Sequence, residues 1–291
     1  MSSPTTPVVL IIPGGWHKPQ SYIKLHDALA YVGFRISIPE LPSTNGSRPP
    51  NSDLATDTAH VRATVEELTK QGDEVIALMH SYGGHVGTNA LSSFSIASRQ
   101  RAGLKGGVRD LIYMSACAVS EGKSMMDMVR HFGHESLIPL AFDFADDMTC
   151  VSRDPKTLHV GADCGLPAGE IDKYVDTLVR WNGQCMYDVL TTDRCEWRDI
   201  PVTYIHSAKD MAIPYDCQKW LVEGMRKEGV RVQVATLETG HCPNLTATEG
   251  VVDVVRKVAT GEQLEDKTEV EEMASTERVQ DTMAGTGAEN P

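Results

Sequence analysis

The sequence predicts an α/β protein: a doubly wound, mainly parallel sheet of about six strands, with a helical cap inserted between two of them. Three observations carry this prediction. Short β-rich apolar runs alternate with longer helical patterns, most of the runs are apolar on both faces, and the alternation lapses once over a long stretch. Strands covered above and below by helices need right-handed crossovers, which wind the chain over both faces of one sheet.

The elements follow in order. VVLII (8–12) is the first strand, and YIKLHDALAYVG is a helix that stops at Gly33. FRISI (34–38) is the second strand, followed by the helical pattern ATDTAHVRATVEELTKQG, which stops at Gly72. EVIALM (74–79) and DLIYMS (110–115) are the third and fourth strands. From Cys117 to Pro201 no strong strand signal appears, and the segment is rich in Met, His and Asp with short helical patterns such as GEIDKYVDTLVRW. An insertion of this length between neighbouring strands reads as a cap over the C-terminal edge of the sheet, where open α/β sheets bind ligands. The alternation then resumes with VTYIH (202–206), a helix after Pro214, VQVATL (232–237) and the helical pattern NLTATEGVVDVVRKVAT. The expected organisation is a core of residues 1–116 and 201–260, a cap of 117–200 and a tail of 261–291.

Charge and cysteine usage narrow the class. The 291-residue chain carries a formal charge of −13, which argues against nucleic acid or an anionic membrane as partner, because a phosphate-binding surface needs a basic face. From Gly261 to Pro291 there are nine acids and two bases, so seven of the thirteen excess negative charges lie in the tail. With almost no aromatic or branched apolar residues, that tail is expected to be disordered. Seven cysteines without a C-x-x-C pair do not describe a disulfide framework. The N-terminus lacks a basic leader, and its apolar run is too short for a signal or a span, so a cytoplasmic setting is expected.

The stretch VIALMHSYGGHVGTNAL, Val75 to Leu91, carries the chemistry. An apolar strand turns through Ser81, passes Gly83 and Gly84, and leaves as a small-residue helix. This is the pattern of a nucleophile elbow, G-x-S-x-G, except that Met79 stands where the first glycine is expected. The side chain of Met79 needs room beside the departing helix, and Gly83, Gly84 and Gly87 are the positions that can supply it. A serine hydroxyl needs a base, and the base needs a third group to fix its tautomer. Asp210 follows VTYIHS in AKDMAIP, and His241 follows VQVATLE in TGHCPNL, so both fall in loops at strand ends. The three stand in the order Ser, Asp, His and converge on one edge of the sheet, which predicts a triad. Acyl chemistry also needs donors for an oxyanion. The expected pair is the backbone N–H of Tyr82, next to the nucleophile, and that of Gly15 in PGGWH after the first strand. PGGWH contains neither G-x-G-x-x-G nor a Walker glycine pattern, so it does not read as a phosphate loop.

With PGGWH, MHSYGG, AKDMAIP and TGHCP, together with LPST after the second strand and DTAHVRATVEEL before the elbow, the chain resembles the α/β-hydrolases. More narrowly, it is similar to the branch containing plant methylesterases, hydroxynitrile lyases and fungal salicylate-esterase-like proteins. The resemblance runs from about Val8 to Thr260. It implies a cofactor-independent enzyme acting on small esters, thioesters or lactones beneath a cap. Hydroxynitrile lyases carry lysine directly after the catalytic histidine, and Cys242 at that place argues against cyanohydrin cleavage.

Other residues are candidates for the substrate site. Trp16 and His17 follow the oxyanion loop, and Met125 and Phe142 belong to a Met- and Phe-rich cap surface. HFGHE (His131 to Glu135) lacks the H-E-x-x-H spacing and DFADDM lacks the calcium-loop spacing, so no metal is expected. The expected partner is a small molecule; the sequence leaves oligomeric state open, a homodimer included. The expected function is a serine hydrolase of small apolar esters. The alternatives are a lyase, cyclase or isomerase of secondary metabolism on the same scaffold, or a slow-turnover ligand-binding protein.

Overall fold

The structure is a computed structural model and describes residues 6–264. The strands, in chain order, are β1 (Val8–Ile12), β2 (Arg35–Ser37), β3 (Glu74–His80), β4 (Gly107–Met114), β5 (Phe142–Phe144), β6 (Thr149–Ser152), β7 (Trp181–Asn182), β8 (Val202–Ser207) and β9 (Val232–Leu237). The α-helices are α1 (Ile23–Tyr31), α2 (Leu54–Lys70), α3 (Tyr82–Ala90), α4 (Ile96–Arg101), α5 (Met125–His131), α6 (Ile138–Ala141), α7 (Ala168–Val175), α8 (Tyr215–Lys227), α9 (Pro243–Thr246) and α10 (Thr248–Thr260).

Six strands form one sheet in the order β2-β1-β3-β4-β8-β9, and every adjacent pair is parallel. Side chains alternate across it, and both faces are covered. Leu10, Ile12, Ala77, Met79, Leu111 and Tyr113 enter one apolar cluster. Val9, Ile11, Ile76, Leu78, Ile112 and Met114 enter the other. This double burial is why the strand sequences read as continuous apolar runs rather than as an alternation.

The chain runs from β1 outward to β2, then crosses back to β3 on the other side of β1. The loops leaving β1 and β3 therefore part at a topological switch point, which opens a crevice at the C-terminal edge. Ile12 pairs with Met79, so PGGWH and the elbow leave the sheet at the same level.

The strands flanking the insertion are neighbours, with Leu111 opposite Val202. Between them lie α5, α6 and α7, and also an antiparallel sheet in the order β5-β6-β7. That small sheet is absent from the sequence expectation. Its strands span three, four and two residues, too short for an alternation to show. The last helical pattern is divided at Ala247 into α9 and α10, and Gly261 closes α10 in a left-handed conformation. The expected acidic tail lies outside the described residues from position 265 onward.

Candidate active site

Ser81 sits between the end of β3 and the start of α3 with φ 53° and ψ −121°, a conformation that costs a non-glycine residue about 1–3 kcal/mol. Three backbone bonds hold it there: its N–H donates to Met114 O (3.3 Å), and its carbonyl accepts from the N–H groups of Cys117 and Gly84 (3.0 Å each). The glycines after it permit close packing. A Cβ on Gly83 would lie 2.2 Å from the carbonyl oxygen of Ile12, so α3 can approach β1 only without one. Gly87 accommodates the departure at Met79, since a Cβ there would lie 2.3 Å from the Met79 sulfur. The glycine missing before the serine is thus offset by one on the facing turn of α3.

Asp210 and His241 lie in the loops after β8 and β9 and meet Ser81 at the same edge. His241 Nε2 is 2.9 Å from Ser81 Oγ, and His241 Nδ1 is 2.8 Å from Asp210 Oδ2. The carboxylate accepts only, so Nδ1 carries the proton and Nε2 is left to accept the serine hydroxyl. Asp210 is itself fixed: its Oδ1 accepts from the N–H groups of Ala212 and Ile213 (2.8 Å each), and Gln218 Nε2 donates to Oδ2 at 3.1 Å. Asp210 and His241 are both buried, so little solvent competes for these bonds.

Three buried chains tie the surrounding loops together. In the first, His80 Nε2–H donates to the carbonyl of His241 (2.9 Å), which leaves Nδ1 to accept from the Tyr22 hydroxyl (2.7 Å). That hydroxyl in turn accepts from Gly14 N–H (2.9 Å), so one chain links the β1 loop to the histidine loop. Burial, with a smaller contribution from His241, lowers the His80 pKa to about 3, and the ring is neutral.

In the second chain, His17 Nδ1–H donates to Gly15 O (2.6 Å), and its Nε2 accepts from the Tyr174 hydroxyl of α7 (3.0 Å). Both ring nitrogens are thus engaged, and the ring tethers the cap to the β1 loop. Burial, followed by the neighbouring His80, pushes the His17 pKa well down. In the third chain, Asp57 accepts from the Tyr82 hydroxyl (2.9 Å) and from the N–H and hydroxyl of Ser43 (2.8 and 2.5 Å), while Trp181 Nε1 donates to Ser43 Oγ (2.9 Å). This explains the LPST and DTAH segments: they supply the serine and the aspartate that anchor Tyr82.

The remaining expected residues are placed as follows. The amides of Gly15 and Tyr82 make no hydrogen bond among the described residues, and the Trp16 amide is also unbonded. Gly15 is packed so tightly on Trp181 that a Cβ would fall 2.9 Å from the indole. Trp16 stacks on Phe142 with centroids 4.9 Å apart and packs edge-on against Trp181 at 4.8 Å, which forms an aromatic wall shared by core and cap. Met125 opens α5, half-buried against the main core cluster.

Sequence reasoning missed Tyr22, Asp57, His80, Gln218 and Tyr174. His80 carried a local signal as the residue directly before the serine, and Asp57 lay in the DTAHVRATVEEL segment without its role being apparent.

A parallel-sheet scaffold with a strained serine turn and a Ser–His–Asp hydrogen-bond chain at its C-terminal edge defines a class of hydrolytic enzyme. Residues 8–254 match the model of the alpha/beta hydrolase family, and the chain belongs to that family. It is 29% identical over 264 residues to "Probable hydrolase R7" of a Phoma species, covering 88% of this chain and 99% of the relative. Among solved structures it resembles a methylesterase from Arabidopsis, with a TM-score of 0.67 and 17% identity, covering 87% of this chain and 99% of the other. It also resembles polyneuridine aldehyde esterase, with a TM-score of 0.69 and 14% identity, covering 88% and 100%. These neighbours fall in the branch to which the motifs pointed. No helix among the described residues is long and apolar enough to cross a membrane.

Proposed function

We propose that this enzyme is a cofactor-independent serine hydrolase, an esterase, thioesterase or lactonase, acting on a small and largely apolar ester. The observation that carries the reading is His241, whose two ring nitrogens lie 2.9 Å from Ser81 Oγ and 2.8 Å from Asp210 Oδ2. In the reaction, Ser81 Oγ attacks the ester carbonyl carbon as its proton passes to His241 Nε2. The carbonyl oxygen becomes an oxyanion, held by the amides of Gly15 and Tyr82. His241 then protonates the leaving alcohol or thiol, and the acyl group stays on Ser81. Water, deprotonated by His241, attacks the acyl carbon, and the proton returns to Ser81 as the acid departs. Asp210 stabilises the imidazolium in both halves.

The aromatic wall of Trp16, Phe142 and Trp181 supports an apolar substrate, as do the esterase names of the structural neighbours. Cys242 supports hydrolysis over cyanohydrin cleavage: a thiol has no cationic form, so it supplies no positive charge beside His241, and burial, which pushes its pKa up, keeps it neutral. The test is turnover of p-nitrophenyl butanoate by the wild type and by Ser81→Ala. The reading expects at least a thousandfold loss with unchanged thermal stability, and near-normal turnover by the variant contradicts it.

A further inference from the structure

Four imidazoles crowd the triad edge, and three have partners for both ring nitrogens. His241 engages Ser81 and Asp210, His80 engages Tyr22 and the His241 carbonyl, and His17 engages Gly15 and Tyr174. The fourth, His159, comes from the cap. It is fully buried, and neither Nδ1 nor Nε2 has a hydrogen-bond partner. Its ring lies 5.7 Å from that of His241, 5.8 Å from His17 and 5.4 Å from Trp16, centroid to centroid. Burial, followed by the neighbouring His241 and His80, pushes its pKa well down, so it presents one N–H donor and one lone pair.

The backbone that carries His159 is also unusual. Residues Lys156–Val160 form a single π-helical turn, a geometry that concentrates at functional sites. That turn rests directly on the histidine loop: a Cβ on Gly240 would lie 2.5 Å from the carbonyl oxygen of Val160. A buried donor and acceptor left unpaired are costly, and a neutral apolar ring would fill the same space without that cost.

We propose that His159 is a substrate-binding residue that recognises a hydrogen-bonding oxygen, a hydroxyl or a carbonyl, placed within a few bonds of the scissile ester. The His159 ring lies against that of His241, whose Nε2 is 2.9 Å from Ser81 Oγ, so it is the unpartnered polar group beside the place where a carbonyl carbon would be held. Both nitrogens are buried, so binding shifts the turn 156–160 outward from the Gly240 loop. The substrate class then narrows from apolar esters in general to oxygenated ones, whose extra oxygen takes up the bond that His159 lacks. This inference rests on the hydrolase reading for the identity of the scissile group only.

The test compares phenyl butanoate with phenyl 3-hydroxybutanoate and 2-hydroxyphenyl butanoate, which carry the added hydroxyl on either side of the ester. The wild type is set against His159→Phe, which keeps a ring, and His159→Asn, which keeps a donor and an acceptor. The expected result is a ten- to hundredfold loss of kcat/KM for at least one hydroxylated ester in His159→Phe. The loss for phenyl butanoate is at least tenfold smaller than that for the hydroxylated ester, thermal stability is equal or higher, and His159→Asn partly restores the lost preference. Equal losses on all three esters, or no loss on any, overturn the proposal. Binding of the same esters to the Ser81→Ala protein, read by tryptophan fluorescence, separates this proposal from the hydrolase reading. If the wild type hydrolyses none of them but hydroxylated esters still bind in a His159-dependent way, the hydrolase reading fails and this one stands. If they bind without dependence on His159, this one fails.

Discussion

His80 Nε2 donates to the backbone carbonyl of His241 at 2.9 Å, so the residue before Ser81 holds the main chain of His241. The Tyr22 hydroxyl fixes His80 from behind and accepts from Gly14 at the other end of the chain. Tyr22→Phe leaves a buried imidazole nitrogen and a buried N–H unpaired, which costs about 1–3 kcal/mol per group. The expected outcome is a lower urea midpoint together with a roughly tenfold or larger fall in kcat. KM should change less, because the chain holds His241 and the β1 loop in place. Steady-state kinetics and urea titration check both.

Asp210→Asn is expected to lower kcat by about a thousand- to ten-thousandfold, the scale seen when a triad loses the group that fixes its tautomer. Backbone amides and Gln218 already surround the side chain, and an amide of the same shape keeps the van der Waals contacts. Circular dichroism with kinetics on a p-nitrophenyl ester separates lost chemistry from lost fold.

Met79 and Gly87 form a matched pair. Gly87→Ala places a methyl group 2.3 Å from the Met79 sulfur and should destabilise by about 1–3 kcal/mol, as overpacking does. In a Met79→Ala background the same change should cost far less. A double-mutant cycle measures the coupling, expected at about 1 kcal/mol or more; additive effects would dissociate the two residues.

Four buried histidines set the response to acid. His80 has its pKa lowered to about 3, His85 to about 4, and those of His17 and His159 are pushed well down, in every case chiefly by desolvation. Unfolded, each returns to the ordinary value of about 6.5 and binds a proton the folded form refuses. Stability from neutral burial is therefore complete above about pH 6.5 and falls as pH drops toward the folded-state values, by about 1.4 kcal/mol per pH unit per histidine. Urea midpoints measured from pH 7 down to pH 4.5 should decline steeply, with more than one proton taken up on unfolding. A flat profile over that range contradicts neutral burial.

The sheet was legible because burial on both faces leaves an apolar run. VVLII and VQVATL correspond to β1 and β9 without a shift of boundary. The triad candidates were legible because chain order and strand ends restrict where Ser81, Asp210 and His241 can meet. The hydrogen-bond chains behind them were not. Tyr22, Asp57 and Tyr174 lie on α1's approach, α2 and α7, where each looks like an ordinary helical residue until tertiary packing buries it. His159 was equally silent, since a π turn leaves no periodic signature in five residues. The cap sheet escaped because β7 offers only Trp181 and Asn182.

The most direct test of the central claim is labelling with a fluorophosphonate, followed by peptide mapping. The account predicts one adduct, on Ser81, at a rate lowered by orders of magnitude in His241→Ala. An adduct on another residue of the folded wild type, or labelling of Ser81 at the same rate without His241, would contradict it.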